Sequence, residues 1–188
     1  MILSSKIASF SATDGIHARV LILGSMPGAA SLAAQQYYAH PRNAFWPLMA
    51  QLCEFDVALA YAARVQALEA VGIRLWDVLA SCERVGSADA AITPGSLQIN
   101  AMSALLQAPE SQIKAIALNG ALAMKLFSKF VAPELYQNIQ IFALPSTSPA
   151  YAAKTFAQKW QAWRVLKPFL YPHADPESAA KAAGGCAS

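Results

Sequence analysis

Short aliphatic runs alternate with longer stretches of helical spacing along this chain. The run 19–23 ends at Gly24 and is typical of a buried strand. The same pattern predicts further strands at 73–79, 113–118 and 139–144, and helices at 57–71, 121–130 and 152–167. Strands separated by helices indicate a parallel sheet covered on both faces. The predicted fold class is therefore α/β, with three α/β/α layers around a mainly parallel four-stranded sheet.

Polar and small residues follow the predicted strands. In a parallel sheet of this kind, ligands bind beyond the carboxyl ends of the strands. The segments expected to meet there are 24–28, 76–77, 119–120 and 145–150. Two helix ends are also marked, because Gly72 suits a C-terminal cap and Asn43 could cap a helix beginning at Ala44.

Composition limits the classes of protein that this chain can represent. At 188 residues, with 56% hydrophobic and 13% charged residues, it can bury one core, so disorder over most of its length is excluded. We predict one domain over 1–170 and a flexible C-terminal tail over 171–188, where apolar periodicity is lost. Gly, Pro, Gln and Asn interrupt the uncharged runs, and 1–18 lacks a continuous apolar segment. Neither a membrane span nor a secretory signal is expected.

Charge and cysteine content add little. The net charge of +3 permits a nucleic-acid partner without indicating one. The three cysteines, Cys53, Cys82 and Cys186, have no metal-ligand spacing. They are interpreted as free thiols in a reducing cytoplasm, and no cofactor, metal or iron–sulfur cluster is expected.

Three segments carry candidate chemistry. The loop 24–28 has two glycines and a proline, which let backbone N–H groups face a ligand oxygen, although a plain turn is the favoured explanation of this loop taken alone. Segment 36–46 combines tyrosines for stacking, a cation for phosphate and a carboxamide that can hold water, all suited to a base taken out of a nucleic-acid stack. Loop 145–151 has two prolines and three hydroxyls that can bind phosphate, or is a simple Ser/Pro turn.

Simpler interpretations exist for most residues of segment 36–46. Tyr37 is expected to pack in the interior, and Phe45 and Trp46 to lie in the core. Asn43 could serve only as a helix cap, or cap with one atom and act with another.

The motifs at 24–46 and 145–151 resemble those of the uracil-DNA glycosylase superfamily, and within it the hypoxanthine-DNA glycosylases; the likeness extends over about 15–170. Two departures are visible. Met26 stands where mismatch-specific uracil-DNA glycosylases have a catalytic asparagine, and methionine cannot activate water. Leu144 or Pro145 stands near the histidine of uracil-specific enzymes. Hypoxanthine-DNA glycosylases also lack an amide at the position of Met26, and they use the asparagine of a His-Pro-Arg-Asn segment for catalysis. In this chain that segment is 40–43.

The resemblance implies a role for each matching residue. Asn43 would position the attacking water and support an oxocarbenium-like state, because an amide cannot act as a general base. Tyr38 would stack on the extruded base. Asp77, protonated in an apolar pocket, or Asn119 could contact the base edge. The remaining substrate-binding positions would be Gly24, Ser25, Met26, Pro27 and Gly28. The DNA-binding positions would be His40, Arg42, Ser146, Thr147, Ser148, Pro149 and Tyr151.

The resemblance thus implies a monofunctional DNA glycosylase in the cytoplasm that acts on deaminated bases, hypoxanthine first and then uracil or xanthine. Its partner would be DNA containing such a base, and a monomer without membrane contact is expected. No lysine suits a Schiff-base step, since Lys154 and Lys159 are expected to be helical and to face solvent or phosphate. Two alternatives stay open: a non-catalytic nucleic-acid-binding module with a decayed site, and a serine hydrolase using Ser25 or Ser148 with His40.

Overall fold

A computed structural model describes residues 5–15, 17–85 and 91–170 of the chain. The strands are β1 (Ser5–Ala8), β2 (Val20–Gly24), β3 (Ile73–Asp77), β4 (Leu79–Arg84), β5 (Gln98–Ile99), β6 (Ala115–Asn119) and β7 (Gln140–Leu144). The helices are α1 (Ala29–Ala34), α2 (Phe45–Cys53), α3 (Tyr61–Ala70), α4 (Met102–Leu106), α5 (Ala121–Phe130) and α6 (Phe156–Trp163). Short 3₁₀ helices occupy Pro94–Ser96, Pro133–Tyr136 and Arg164–Phe169.

A four-stranded sheet lies at the centre, in the order β3-β2-β6-β7, and each of its neighbouring pairs is parallel. Successive residues of β2 point to opposite faces of this sheet. Val20 and Ile22 belong to a core formed with α2, α3 and α6, whereas Leu21 and Leu23 pack with α4 and α5. Helices therefore cover both faces, and the predicted three-layer fold with a parallel four-stranded sheet is confirmed.

A second, antiparallel sheet in the order β1-β4-β5 was not predicted. The predicted strand 73–79 is in fact two strands, because the chain leaves the central sheet after Asp77. The N–H groups of Val78 and Leu79 then donate to the carbonyl oxygens of Gly24 and Ser25, at 2.9 and 3.1 Å. This turn directs β4 away from the central sheet and towards β1 and β5.

Helix boundaries also differ from the predictions. The helix predicted at 57–71 begins only at Tyr61, because the Asp56 carboxylate accepts from the N–H of Ala58 and forms a turn. Its end is as predicted, with Gly72 in the left-handed region at φ 82°. The helix predicted at 152–167 begins after Thr155, which forms a capping box with Gln158, and becomes a 3₁₀ helix after Trp163.

The helix predicted at 121–130 matches α5. The predicted strands 113–118 and 139–144 lie within two residues of β6 and β7. The predicted tail, 171–188, lies outside the described residues. Within the described ranges, no helix is both long enough and apolar enough to cross a membrane.

Candidate active site at the carboxyl edge of the sheet

Four strand ends meet at one edge of the central sheet. Gly24 at the end of β2 is in register with Asp77 at the end of β3, and Asn119 at the end of β6 with Leu144 at the end of β7. The pairing of β2 with β6 joins the two halves. The predicted meeting of these segments is thus confirmed, and it follows from parallel strands sharing one direction.

Asp77 is a buried carboxyl group, 3% exposed. The Ser9 hydroxyl donates to its Oδ2 at 2.7 Å. Burial raises the pKa of Asp77 to about 7, although the Ser9 hydrogen bond and the positive charge of Arg84 act in the opposite direction. Protonated and ionised forms are therefore both present near neutral pH. In the protonated form the carboxyl group can donate a hydrogen bond.

Gly24 permits a close approach between β2 and this carboxyl group. A Cβ at position 24 would lie 2.3 Å from Asp77 Oδ1 and 3.4 Å from the Tyr38 hydroxyl. The first distance is far shorter than a van der Waals contact. Glycine at this position therefore brings the Asp77 carboxyl group and the Tyr38 hydroxyl towards the same small volume.

The other residues of loop 24–28 are fixed by contacts with the protein interior. Met26 is 7% exposed and packs in the core on the α4 and α5 side of the sheet. The buried Arg84 guanidinium donates to the carbonyl oxygen of Pro27. Gly28 precedes α1 and accepts from the N–H of Leu32. Met26 is thus a packing residue in this structure, whereas Gly24 borders the polar groups at the sheet edge.

Tyr38 presents an aromatic surface beside Gly24. Its ring stacks on Phe45, with centroids 3.8 Å apart and an interplanar angle of 20°. Its backbone lies in the left-handed region at φ 57°, which is uncommon for a residue with a side chain. Phe45 covers one face of the ring, so a ligand can stack only on the opposite face.

The Tyr38 hydroxyl is buried and makes no hydrogen bond of good geometry among the described residues, although the Asn119 side chain lies close enough to affect its pKa. Burial, together with the nearby Asp77, raises the pKa of Tyr38, while the neighbouring Asn119 side chain lowers it in part. The hydroxyl therefore stays protonated. A buried polar group without a partner costs free energy, and such groups are concentrated at functional sites.

The aromatic residues around Tyr38 form part of the core, as expected. Tyr37 is 4% exposed, and its hydroxyl donates to the carbonyl oxygen of Ser11. The Trp46 indole donates to the carbonyl oxygen of Tyr37 at 3.0 Å. Phe45 is fully buried and makes an edge contact with Trp163. The interpretation of Tyr37, Phe45 and Trp46 as packing residues is confirmed.

Asn43 closes the turn that precedes α2. Its N–H donates to the carbonyl oxygen of His40 at 2.8 Å, and its side-chain Oδ1 accepts from the N–H of Phe45 at 3.0 Å. The helix begins at Phe45, one residue later than predicted, with Ala44 at the N-cap position and no side-chain cap. The prediction that Asn43 caps a helix beginning at Ala44 was therefore wrong, because the Asn43 side chain instead closes a turn just before the helix. A carbonyl oxygen has a second acceptor site, and the Asn43 NH₂ group has no partner among the described residues. Both remain available for water or a ligand.

His40 and Arg42 flank this turn. The His40 Nδ1 accepts from the N–H of Arg42 at 3.1 Å, and the Arg42 side chain is exposed. The Ser148 hydroxyl accepts from the N–H of Ala150. His40 Nδ1 and Ser148 Oγ thus bond to backbone groups and not to one another, and the structure gives no support to a serine hydrolase built on this pair.

Asn119 binds Thr147 with both ends of its carboxamide. Its Nδ2 donates to Thr147 Oγ1 at 3.0 Å, and its Oδ1 accepts from the N–H of Thr147 at 2.9 Å. Thr147 is 1% exposed, so its hydroxyl faces the interior instead of solvent. Asn119 and Thr147, predicted to contact the base and the DNA, are therefore bound to each other in this structure.

The remainder of loop 145–151 is fastened to α6. The Trp163 indole donates to the carbonyl oxygen of Pro145 at 3.0 Å, and Lys159 Nζ donates to that of Tyr151 at 3.1 Å. The expectation that Lys159 faces solvent was wrong, since its side chain is 5% exposed and burial lowers its pKa. Lys154 is exposed as expected, but it precedes α6, so the expectation that it is helical was wrong.

The serine hydroxyls of this loop accept backbone N–H groups. Ser146 Oγ accepts from Ser148 N, as Ser148 Oγ does from Ala150 N, both at 3.2 Å. Each hydroxyl keeps its own hydrogen to donate. Ser146, Ser148, Pro149 and Tyr151 are all half-buried, so they border solvent.

Sequence patterns gave no indication that Ser9 and Arg84 belong to the site. Ser9 reaches Asp77 from 68 positions away in the chain, and Arg84 reaches Pro27 from 57 positions away. Neither residue lies in a recognisable motif. Over the described ranges, no three His, Cys, Asp or Glu side chains are grouped as ligands of a metal ion would be.

Comparisons with known proteins find relatives of this chain in sequence and in fold. The sequence model of the uracil DNA glycosylase superfamily matches residues 10–167. Two proteins named hypoxanthine DNA glycosylase, from Methanosarcina barkeri and Methanosarcina acetivorans, are 37% and 36% identical over 102 residues. Each match covers 54% of this chain and 63% of the relative. A solution NMR structure of a provisionally assigned uracil DNA glycosylase from Methanosarcina acetivorans has a TM-score of 0.72 at 25% identity, covering 88% of this chain and 99% of that one.

Proposed function

The chain belongs to the uracil DNA glycosylase superfamily, and on this premise we propose that it removes a deaminated base from DNA by hydrolysing the N-glycosidic bond, with hypoxanthine preferred. The names of the two Methanosarcina relatives support the choice of hypoxanthine. Uracil and xanthine are proposed as secondary substrates. The products would be the free base and an abasic site in the DNA.

One observation carries this proposal. Tyr38 and Asn43 lie five positions apart: the Tyr38 ring is close to the buried Asp77 carboxyl group of raised pKa, and the Asn43 NH₂ group has no partner among the described residues. Glycosylases need this combination, because the base must be extruded, held on an aromatic face and polarised while water approaches the sugar. Met26 packs in the core, so position 26 supplies no side chain to activate water.

The proposed reaction follows from these groups. The extruded base stacks on the face of Tyr38 opposite Phe45, which is worth about 1–3 kcal/mol. Protonated Asp77 donates to the purine carbonyl oxygen and supports the charge that develops on the leaving base. Asn43 holds a water molecule below the anomeric carbon. The C1′–O bond forms as the C1′–N bond breaks, and one proton of the water ends on the departing base.

The flanking residues would hold the DNA backbone. Arg42 is exposed and can pair with a phosphate, and Ser146 and Ser148 each keep a hydroxyl hydrogen to donate. The buried Lys159 is bonded to a backbone carbonyl, so we propose no Schiff-base step and a monofunctional enzyme.

Replacing Asn43 tests the mechanism. In single-turnover assays on an inosine-containing duplex, with abasic sites revealed by alkali, Asn43→Ala should lose at least about 100-fold in excision rate. Duplex binding should change little. Asn138→Ala, at an exposed asparagine, is the matched control. Equal rates for Asn43→Ala and the unsubstituted chain would refute the role of Asn43.

The same assay separates the proposal from its alternative. A non-catalytic nucleic-acid-binding module would retain duplex binding but produce no abasic sites on any substrate. Duplexes containing hypoxanthine, uracil, xanthine or ethenocytosine should be compared at one pH, and hypoxanthine should be excised fastest.

A further inference from the structure

We propose that Asn119 is a positioning residue. Its two hydrogen bonds to Thr147, here called the clasp, set the separation between the two DNA-contacting segments. This inference rests on the proposed function. The two segments are the turn around Asn43 and loop 145–151, which are about one hundred positions apart in the chain. They meet through hydrogen bonds that begin at the end of β6 and need no contact between Asn119 and DNA.

The contacts form a continuous path. The Asn119 carboxamide holds both the N–H and the hydroxyl of Thr147, at 2.9 and 3.0 Å. The carbonyl oxygen of Thr147 accepts from the N–H of Ala44 at 3.0 Å, next to Asn43 in the chain. A shift of Thr147 therefore moves the backbone that orients the Asn43 side chain. Catalytic geometry tolerates little displacement, so such a shift should lower the rate.

The junction is also close-packed. Gly120 follows Asn119 with φ 98°, and its N–H donates to the carbonyl oxygen of Leu144. A Cβ at position 120 would lie 2.9 Å from the Cβ of Ser146. The end of β6 and the start of the loop thus touch without room for a side chain. Trp163 and Lys159 hold the two ends of the same loop, and Asn119 holds its middle.

A rival interpretation is that Asn119 reads the edge of the base. That role would use the remaining N–H hydrogen and the remaining acceptor site of its carboxamide, since each end makes one bond to Thr147. The two roles make different predictions about selectivity. A positioning residue affects every base by the same factor, whereas a residue that bonds one base edge changes the ratio between bases.

Four variants test the clasp: Asn119→Ala, Asn119→Asp, Thr147→Val and the double variant Asn119→Ala/Thr147→Val. Valine keeps the shape of Thr147 and its backbone N–H but loses the hydroxyl bond, so it guards against simple unfolding. Asn138→Ala is again the control. The readouts are single-turnover excision rates at saturating DNA, the DNA concentration at half-saturation, and amide hydrogen exchange without DNA.

We expect Asn119→Ala to lower the saturating rate at least about tenfold, and Thr147→Val about threefold. The double variant should be no slower than Asn119→Ala, because both changes remove the same contact. Asn119→Asp should recover part of the rate, since it keeps an acceptor for the Thr147 N–H. Losses on hypoxanthine, uracil and xanthine should agree within about twofold. A changed ratio in Asn119→Ala with an unchanged ratio in Thr147→Val would overturn the proposal in favour of base reading.

Hydrogen exchange tests the clasp on the DNA-free chain, independently of base excision. The amides of Thr147 and Ala44 should exchange faster in Asn119→Ala and not in Asn138→Ala. Unchanged protection of both amides would overturn the clasp even if excision fell. An unsubstituted chain that excises no base would instead refute the proposed function, and the exchange result would still decide whether Asn119 holds the loop.

Discussion

Asp77→Asn is expected to change how stability depends on pH. The ordinary pKa of the carboxyl group is 3.8, and burial raises it to about 7 in the folded chain. Between these values the native state keeps the proton that the unfolded state releases. Raising the pH therefore favours unfolding over this range. The stabilisation that comes from the proton on Asp77 is fully present below about pH 4 and lost above about pH 7. A difference of about three pKa units, at about 1.4 kcal/mol each, is worth about 4 kcal/mol.

Asparagine keeps the shape of Asp77 and can still bond to Ser9, but it does not ionise. The free energy of unfolding should be measured by urea denaturation with tryptophan fluorescence, from pH 4 to 8 at constant ionic strength. The stability of the unsubstituted chain relative to Asp77→Asn should fall by up to about 4 kcal/mol as the pH rises. Glu110→Gln, at an exposed carboxylate, controls for the loss of one charge. If the difference in the free energy of unfolding stays constant, or grows in favour of the unsubstituted chain as the pH rises, the raised pKa of Asp77 is refuted.

Two further substitutions test the packing of the site by urea denaturation at one pH. Gly24→Ala should destabilise the fold by about 1–3 kcal/mol, because its Cβ would meet the Asp77 carboxyl group at 2.3 Å, whereas Gly95→Ala adds a Cβ with no atom within 4 Å and should change little. Tyr38→Phe removes a buried hydroxyl without a partner and should stabilise the DNA-free chain by about 1 kcal/mol. Tyr37→Phe removes the hydrogen bond to the carbonyl oxygen of Ser11 and should lower the free energy of unfolding by about 1 kcal/mol. A loss in Tyr38→Phe equal to that in Tyr37→Phe would show that the Tyr38 hydroxyl is satisfied in solution.

Much of the fold was predictable because the spacing of apolar residues within one segment indicates whether that segment forms a helix or a strand. The helix at 121–130 and the strand ending at Gly24 matched the structure, since each buries a regular apolar pattern against a neighbouring layer. The predictions were wrong at boundaries where a side chain competes with the backbone. Asp56 delays α3 in this way. The predicted strand 73–79 was wrong for another reason, because backbone hydrogen bonds from Val78 and Leu79 turn the chain after Asp77.

The candidate site was predicted in outline and not in detail. Strand ends marked where Gly24, Asp77 and Asn119 would meet, because parallel strands share a direction. The pattern could not show that Asn119 bonds to Thr147 or that Lys159 is buried. Both facts depend on how two loops and a helix pack together, and residue spacing carries no information about that packing.

The sequence by itself determined the layers, the order of most elements and the edge of the sheet where chemistry is concentrated. It could do so because hydrophobic period and strand direction are properties of a single segment. The tertiary structure alone decided which polar atoms are already bonded and which remain free, and how far the pKa of Asp77 is raised. Those properties arise from burial and from partners as distant in the chain as Ser9, so they exist only once the segments have packed.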